Sequence, residues 1–189
     1  MDVFEAIQGR RSPSRFEPHP VPREMLERVL DAAMWAPSPQ DMQNWHFVVL
    51  GGQEKDTFVT ATQVEFTDLL LSLQNSGPWT SAQRTNWFIK AAYEAPVLVL
   101  AFSDTPASLV PDAPLAVAAA VQNLLLAAHA EGLAGRWFTA GLQTVSDIVA
   151  RHIPVGEMEL VGLIVLGYPA ETPTPSPRRE KRIDWRISF

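Results

Sequence analysis

The 189-residue sequence contains no cysteine. That absence excludes disulfide frameworks, thiolate metal sites, thiol nucleophiles and cysteine-ligated iron–sulfur clusters. Positive charge is also short: 15 Lys and Arg against 21 Asp and Glu leave a formal charge of −6 and a pI near 5.2. A general nucleic-acid surface needs a basic excess to neutralise phosphates, so no nucleic-acid partner is expected, even with Arg178-Arg179-Glu180-Lys181-Arg182 present. No apolar run reaches the roughly 20 residues a bilayer requires. The longest, 115–130, is interrupted by Gln122, Asn123 and His129 and reads as a buried helix, so no membrane partner is expected. Asp2 precedes the first basic residue, Arg10, the reverse of a secretory signal's charge order. A reducing cytoplasm is therefore the expected location.

The apolar share of 47 % and charged share of 19 % are those of a globular chain. At this length one packed core is expected. Val3, Phe4 and Ile7, then Met25, Leu26, Val29, Leu30, Ala33 and Met34, recur at helical spacing, the second helix with Pro22 in its first turn and Pro37 after its end. Trp45 to Leu50 reads as a strand closed by Gly51-Gly52. Two helices are expected from Glu54 to Leu73 and from Ala82 to Ala92, separated by the breaker Asn75-Ser76-Gly77-Pro78. The runs Val97 to Phe102 and Leu160 to Leu166 are continuously apolar, as strands buried on both faces are. Between them come a long helix capped by Asp112 and ended by Gly132, a short strand Arg136 to Thr139, and a helix Thr144 to Ile153 stopped by Pro154. After Pro169, prolines 173, 175 and 177 give an extended arm, 170–189, and its alternating end from Ile183 to Phe189 suits a strand added to some sheet edge. The order defines an α+β domain over 1–169 with the arm attached.

Two segments can carry chemistry. Arg10-Arg11-Ser12-Pro13-Ser14-Arg15 gathers three guanidinium groups and two hydroxyls at the end of the first helix. Arginine forks pair bidentately with phosphate oxygens and hydroxyls add neutral donors. The same charges also complement a helix C-terminus without binding anything. Ala36-Pro37-Ser38-Pro39-Gln40-Asp41-Met42-Gln43-Asn44-Trp45 is a polar loop whose amides suit the edge of a planar heterocycle, or simply connect a helix to a strand. His46 and His129 have no acid at a pairing distance in sequence and read as packing or surface residues. Neither a catalytic acid nor a metal site is indicated.

Taken in order, these segments resemble the nitroreductase family of FMN-dependent oxidoreductases. The resemblance rests on Arg10-Arg11-Ser12 with Phe16, on Ala36-Pro37-Ser38 with Gln43 and Trp45-His46-Phe47-Val48-Val49, on Glu131-Gly132-Leu133-Ala134-Gly135-Arg136-Trp137, and on Leu166-Gly167-Tyr168-Pro169 with Arg178. It is strongest to the short bacterial members with Arg-Arg-Ser-x-Ser-Arg and spans almost the whole chain. It implies a nitroreductase-like α+β fold, a mostly antiparallel sheet flanked by helices, with the arm strand open to exchange in a homodimer.

By the same resemblance, Arg10, Arg11 and Ser12 hold the FMN phosphate and ribityl chain, and Arg178 completes the phosphate site. Trp35, Pro37, Ser38 and Pro39 pack over the flavin from the other subunit, and Gln43 reads the ring edge. Arg136, Trp137 and Phe138 lie near the ring's other side. The implied activity passes two electrons from NADH or NADPH through flavin N5 to a nitroaromatic, quinone or similar small acceptor in a ping-pong cycle. The segment from Gln74 to Phe88, with Trp79, Trp87 and Phe88, shapes the acceptor pocket or fills the core. A non-catalytic FMN-binding sensor and a flavin-dependent dehydrogenase or dehalogenase are the alternatives on the same fold. Three positions depart from the family pattern: Ser14 stands where a basic residue is usual, Asp41 where an asparagine is common, and Asn44 where a proline precedes the tryptophan.

Overall fold

The computed structural model describes residues 1–72, 89–139, 142–175, 177, 178, 180 and 182–186. Helix α1, Val3–Gly9, begins with a capping box in which the Asp2 carboxylate accepts from the Glu5 N–H and the Glu5 carboxylate accepts from the Asp2 N–H, both at 2.8 Å. Helix α2, Arg23–Ala33, has Pro22 at its N-cap rather than inside its first turn. A 3-10 turn, Pro39–Asp41, leads to strand β1, Trp45–Gly51, and helix α3, Gly52–Ser72. Residues 89–94 are helical, so the second half of the helix expected at 82–92 is seen, while the breaker 75–78 and the aromatics Trp79, Trp87 and Phe88 lie outside the described residues.

Strand β2, Val97–Ser103, helix α4, Ala113–Ala130, strand β3, Ala134–Phe138, helix α5, Leu142–His152, and strand β4, Glu159–Gly167, complete the domain. Asp112 occupies the N-cap of α4, but its side chain makes no capping hydrogen bond. Among the described residues of the arm there is no helix or strand; Ile183 and Trp185 are exposed, and 187–189 lie outside the described residues.

The four described strands form one antiparallel sheet in the order β1-β2-β4-β3. β2 and β4 are central and buried on both faces, which is why their sequences are unbroken apolar runs. On β2 the side chains alternate: Leu98, Leu100 and Phe102 pack towards α3 and α5, whereas Val97, Val99 and Ala101 pack towards α2 and α4. α4 is apolar on nearly every side because Val117, Val121 and Leu124 face the sheet and α2, so its composition is that of a core helix.

A bulge interrupts the β2–β4 ladder between Ala101 and Phe102. There β4 carries Gly162, and a Cβ at that position would fall 1.9 Å from Trp137 Nε1. The indole therefore occupies the space a side chain at 162 would need, and the bulge and the glycine together seat Trp137 against the α4 layer. Asn44, fully buried, donates from Nδ2 to Ser103 Oγ at 2.7 Å and to the Ala113 carbonyl at 3.0 Å. It ties the start of β1 to the end of β2 and the start of α4, a tie that proline at this position lacks the donors to make.

Candidate functional site

α1 ends at Gly9, where the Arg10 N–H makes the last helical hydrogen bond to the Ala6 carbonyl and Arg10 itself is extended, and the chain then runs through Pro13 along the segment that follows β4. Glu17 N–H donates to the Tyr168 carbonyl at 2.9 Å and Ala170 N–H to the Arg15 carbonyl at 3.1 Å, with Phe16 bridged to Pro169. Residues 15–17 are thus stitched to 168–170. The Glu171 carboxylate then accepts from the Ser14 N–H at 2.7 Å. From the other side, Arg136 of β3 donates through Nη1 to the Ser12 carbonyl at 3.2 Å, the Pro13 carbonyl at 3.4 Å and Ser14 Oγ at 3.2 Å. The loop 12–14 is therefore fixed by two elements remote in sequence.

Around this loop the arginines converge. Arg10 donates from Nη1 to Ser12 Oγ at 3.1 Å. Burial, with the charges of Arg11 and Arg178 adding to it, pushes Arg10 below the ordinary arginine value, so Arg178 of the arm lies within electrostatic range of Arg10. Arg11 turns its Nη1 onto the Gln8 and Arg10 carbonyls at 2.6 and 2.8 Å. Arg136, half-buried, is pushed down to about 10 by burial, with Glu171 opposing the shift. It remains a cation at neutral pH. Arg15 is drawn away: its Nε donates to the Glu94 carboxylate at 2.8 and 2.9 Å, so it does not replace a basic residue at position 14. Three like charges that depress one of their number are a cluster that an anion stabilises. The donor set of guanidiniums and serine hydroxyls fits the phosphate and hydroxylated chain of FMN.

The polar loop between α2 and β1 forms a second region. Ser38 Oγ accepts from the Gln43 N–H at 3.0 Å, and Gln43 Nε2 donates to Asp41 Oδ1 at 2.9 Å, so Asp41 holds the amide expected to read a ring edge. Gln40, Asp41 and Gln43 have φ of 49°, 56° and 50°, a left-handed conformation that costs about 1 kcal/mol or more per residue and recurs at ligand clamps. Trp35 is 86 % exposed, with Met34 and Met42 also exposed beside it. Trp35, Asp41 and Gln43 line a cavity of about 540 Å³, whereas Arg11 and Pro13 line another of about 300 Å³ with His129 and Glu171. Pro37 is exposed and Pro39 half-buried at the mouth of the same turn. Within one copy, Arg11 thus lines a different cavity from Trp35, Asp41 and Gln43.

The pleat of β3 divides the expected trio. Phe138 packs on the α3 and α5 side of the sheet and Trp137 on the α4 side, so alternation puts Arg136 on the face of Phe138 and opposite Trp137. Trp137 Nε1 is buried with no hydrogen-bond partner among the described residues. Glu171 and His129 were not among the expected site residues. His129 nearly touches α1, where a Cβ on Gly9 would lie 2.7 Å from its Nε2, and burial with Arg10 and Arg11 holds its pKa below the usual histidine value. Glu171 follows the Gly-Tyr-Pro motif by two residues, a proximity visible in sequence, while His129 is brought there only by helix packing. Among the described residues no three His, Asp or Glu side chains converge as a metal ion requires.

An antiparallel sheet flanked by helices, with arginines and serine hydroxyls gathered on the loop after α1, defines an α+β domain with a candidate anion site. The nitroreductase family model matches residues 7–168, and the chain belongs to this family of oxidoreductases. It is 32 % identical over 178 residues to a Methanothermobacter thermautotrophicus protein provisionally named NADH dehydrogenase/NAD(P)H nitroreductase, covering 92 % of this chain and 80 % of that one. It is 28 % identical over 184 residues to an iodotyrosine deiodinase of Thermotoga neapolitana, covering 94 % of each. In fold it matches a Bacteroides fragilis nitroreductase with bound FMN at a TM-score of 0.74, with 21 % identity and 100 % of both chains covered.

Proposed function

We propose that this chain is an FMN-dependent oxidoreductase that takes two electrons from NADH or NADPH and passes them to a nitroaromatic, quinone or similar acceptor in a ping-pong cycle. The observation that carries this reading is the Ser12–Ser14 loop, on which Arg10 and Arg136 both donate, with the charges of Arg11 and Arg178 acting on Arg10. Arg10, Arg11, Ser12 and Arg178 would hold the phosphate and ribityl chain. When bound, the flavin supplies the two-electron chemistry, so no side chain needs to act as a nucleophile. The chain's own work is to orient the ring, exclude water from it and leave one face open to donor and acceptor.

The active form is a homodimer. Exposed Trp35 and the clamp-like turn 38–43 are the cover that a second copy needs over its flavin, and within one copy they line a cavity apart from the arginines. Phe4, Ile7 and Val3 leave an exposed apolar stripe on α1 that a dimer would bury. The test is an absorbance spectrum of the purified protein, then anaerobic addition of NADH and NADPH separately. Flavin bands bleached by either nucleotide establish the reductase and choose its donor. Bound flavin that neither nucleotide bleaches excludes both donors, and absence of flavin after reconstitution excludes the cofactor.

The similarity to the Thermotoga neapolitana deiodinase over nearly the full chain supports a second reading, reductive dehalogenation of a halogenated aromatic. Anaerobic reoxidation of the reduced protein by a nitroaromatic, a quinone and an iodotyrosine in parallel separates the two.

A further inference from the structure

We propose that Glu171 is the resident counter-anion of the arginine site, holding the 12–14 loop in shape while limiting how tightly that loop grips a phosphate-bearing ligand. This rests on the FMN reading above and adds what sets the strength of the cofactor's hold. The cations gathered here come from three parts of the chain: Arg10 and Arg11 after α1, Arg136 on β3 and Arg178 in the arm. Two carboxylates reach the same stretch, and they are used differently. Glu94 takes the Arg15 Nε on both oxygens, at 2.8 and 2.9 Å, so its charge is matched by a guanidinium. Glu171 takes the Ser14 N–H at 2.7 Å, a donor with no charge of its own, so its negative charge stays on the loop. There it acts on Arg136, opposing the fall in pKa that burial imposes.

A carboxylate on a backbone N–H makes the charge-assisted bond that a phosphate oxygen makes on the same kind of donor. Glu171 thus occupies a donor suited to an anionic ligand and repels that ligand as well. It stands where a ligand can meet it: Glu171 and Thr172 line the cavity of about 300 Å³ with Arg11, Pro13 and His129. Glu171 is exposed, so its repulsion acts through a high effective dielectric and weakens with salt. The contact has a second effect of opposite sign. Ser14 and Glu171 each lie one residue beyond the backbone pairing of 15–17 with 168–170, so their bond extends that pairing to the loop and reduces the ordering that ligand binding must supply. Glutamine at this position keeps the second effect and abolishes the first, because its amide oxygen still accepts from the Ser14 N–H.

The experiment compares FMN with riboflavin, which lacks the phosphate, by flavin fluorescence, and follows inorganic phosphate by its stabilisation of the flavin-free protein in thermal unfolding. Glu171→Gln is expected to raise FMN affinity about three- to tenfold at low ionic strength, with riboflavin affinity changed less than about twofold. The gain should shrink as salt is raised towards about 0.5 M. Thr172→Asp adds a charge to the same cavity wall and should lower the FMN-to-riboflavin affinity ratio about threefold, which keeps the test open if Glu171→Gln does not fold. A ratio unchanged or lower in Glu171→Gln, or unchanged in Thr172→Asp, overturns the proposal and leaves Glu171 as a loop support only. A parent protein that binds neither flavin overturns the FMN reading instead. A larger phosphate-induced rise in Tm in Glu171→Gln than in the parent then still supports Glu171 as the counter-anion, and an equal or absent rise overturns it.

Discussion

The arginine cradle and the Trp35–Gln43 loop are both made largely of polar residues near helix ends, yet they are built in opposite ways. The cradle is held from three directions: backbone pairing of 15–17 with 168–170, the Glu171 carboxylate on the Ser14 N–H, and Arg136 reaching from β3. The loop holds itself by local bonds, Ser38 to Gln43 and Gln43 to Asp41, and keeps three left-handed residues while presenting Trp35 outward. The first region is preorganised for a ligand, so little ordering cost remains at binding. The second is shaped by its own bonds and leaves the indole exposed, open to cover by another surface. In the proposed dimer, the anion affinity is written into one chain and the ring environment is completed by two.

Breaking the cradle's chemistry should have the largest effect. Arg10→Gln removes a charge-assisted contact to phosphate, which is worth about 1.5–3 kcal/mol, so FMN affinity measured by fluorescence titration should fall roughly 10- to 100-fold. Thermal stability of the flavin-free protein should stay within about 0.5 kcal/mol, because Arg10 is relieved of two like charges rather than deprived of an ion pair. An equal loss of stability would mean the cluster is structural. The cradle's support is tested next. Gly162→Ala forces a methyl into space filled by the Trp137 indole and within 3.1 Å of the Phe138 carbonyl, and overpacking of this kind costs about 1–3 kcal/mol. Denaturant unfolding should show that loss, and FMN affinity should fall with it because β3 also carries Arg136.

The two regions were also unequally legible in the sequence. β2 and β4 could be read directly, since strands covered on both faces must be apolar throughout. The serine–arginine motif could be read as a cluster of cations and hydroxyls because its donors are adjacent in the chain. What locks it could not: Arg136 and Ser14 are 122 residues apart, and nothing in local spacing joins them. The grouping of Arg136, Trp137 and Phe138 followed adjacency in sequence, whereas the pleat sends Trp137 to the opposite layer. Gly162 and the bulge beside it are invisible without the indole that fills the space. In the loop, composition marked a polar connector, but left-handed Gln40 and Gln43 go against the glycine and asparagine preference for that region. Asn44, which departs from the family's proline, turns out to be a buried three-way tie between β1, β2 and α4.

The loop's side of the comparison is sharpened by Trp35→Ala. A side chain 86 % exposed contributes little to the fold of one copy, so unfolding of the flavin-free protein at low concentration should change by less than about 0.5 kcal/mol. A buried tryptophan at an interface centre commonly contributes 2 kcal/mol or more, so dimer affinity by sedimentation should fall at least about tenfold, with FMN affinity falling alongside it. An unchanged dimer and an unchanged flavin affinity would remove the loop from the site.

The smallest effect tests whether the cradle reaches as far as His129. Burial and the charges of Arg10 and Arg11 hold this histidine below its usual value, so the unfolded chain takes up its proton first as pH falls. A folded state that binds fewer protons loses stability on acidification, beginning near the unfolded value of about 6.5 and continuing down to the lower folded value, below which the loss is complete. Above pH 7 the contribution is fully present. His129→Gln removes this proton uptake, so its stability between pH 7 and 5 should be flatter than that of the parent by less than about 1 kcal/mol. Bound FMN should flatten the parent in the same way, because a phosphate beside Arg10 and Arg11 offsets the two charges that depress the imidazole. If saturating FMN leaves the slope unchanged while His129→Gln abolishes it, then burial alone sets this histidine and the phosphate lies away from the Gly9 end of α1.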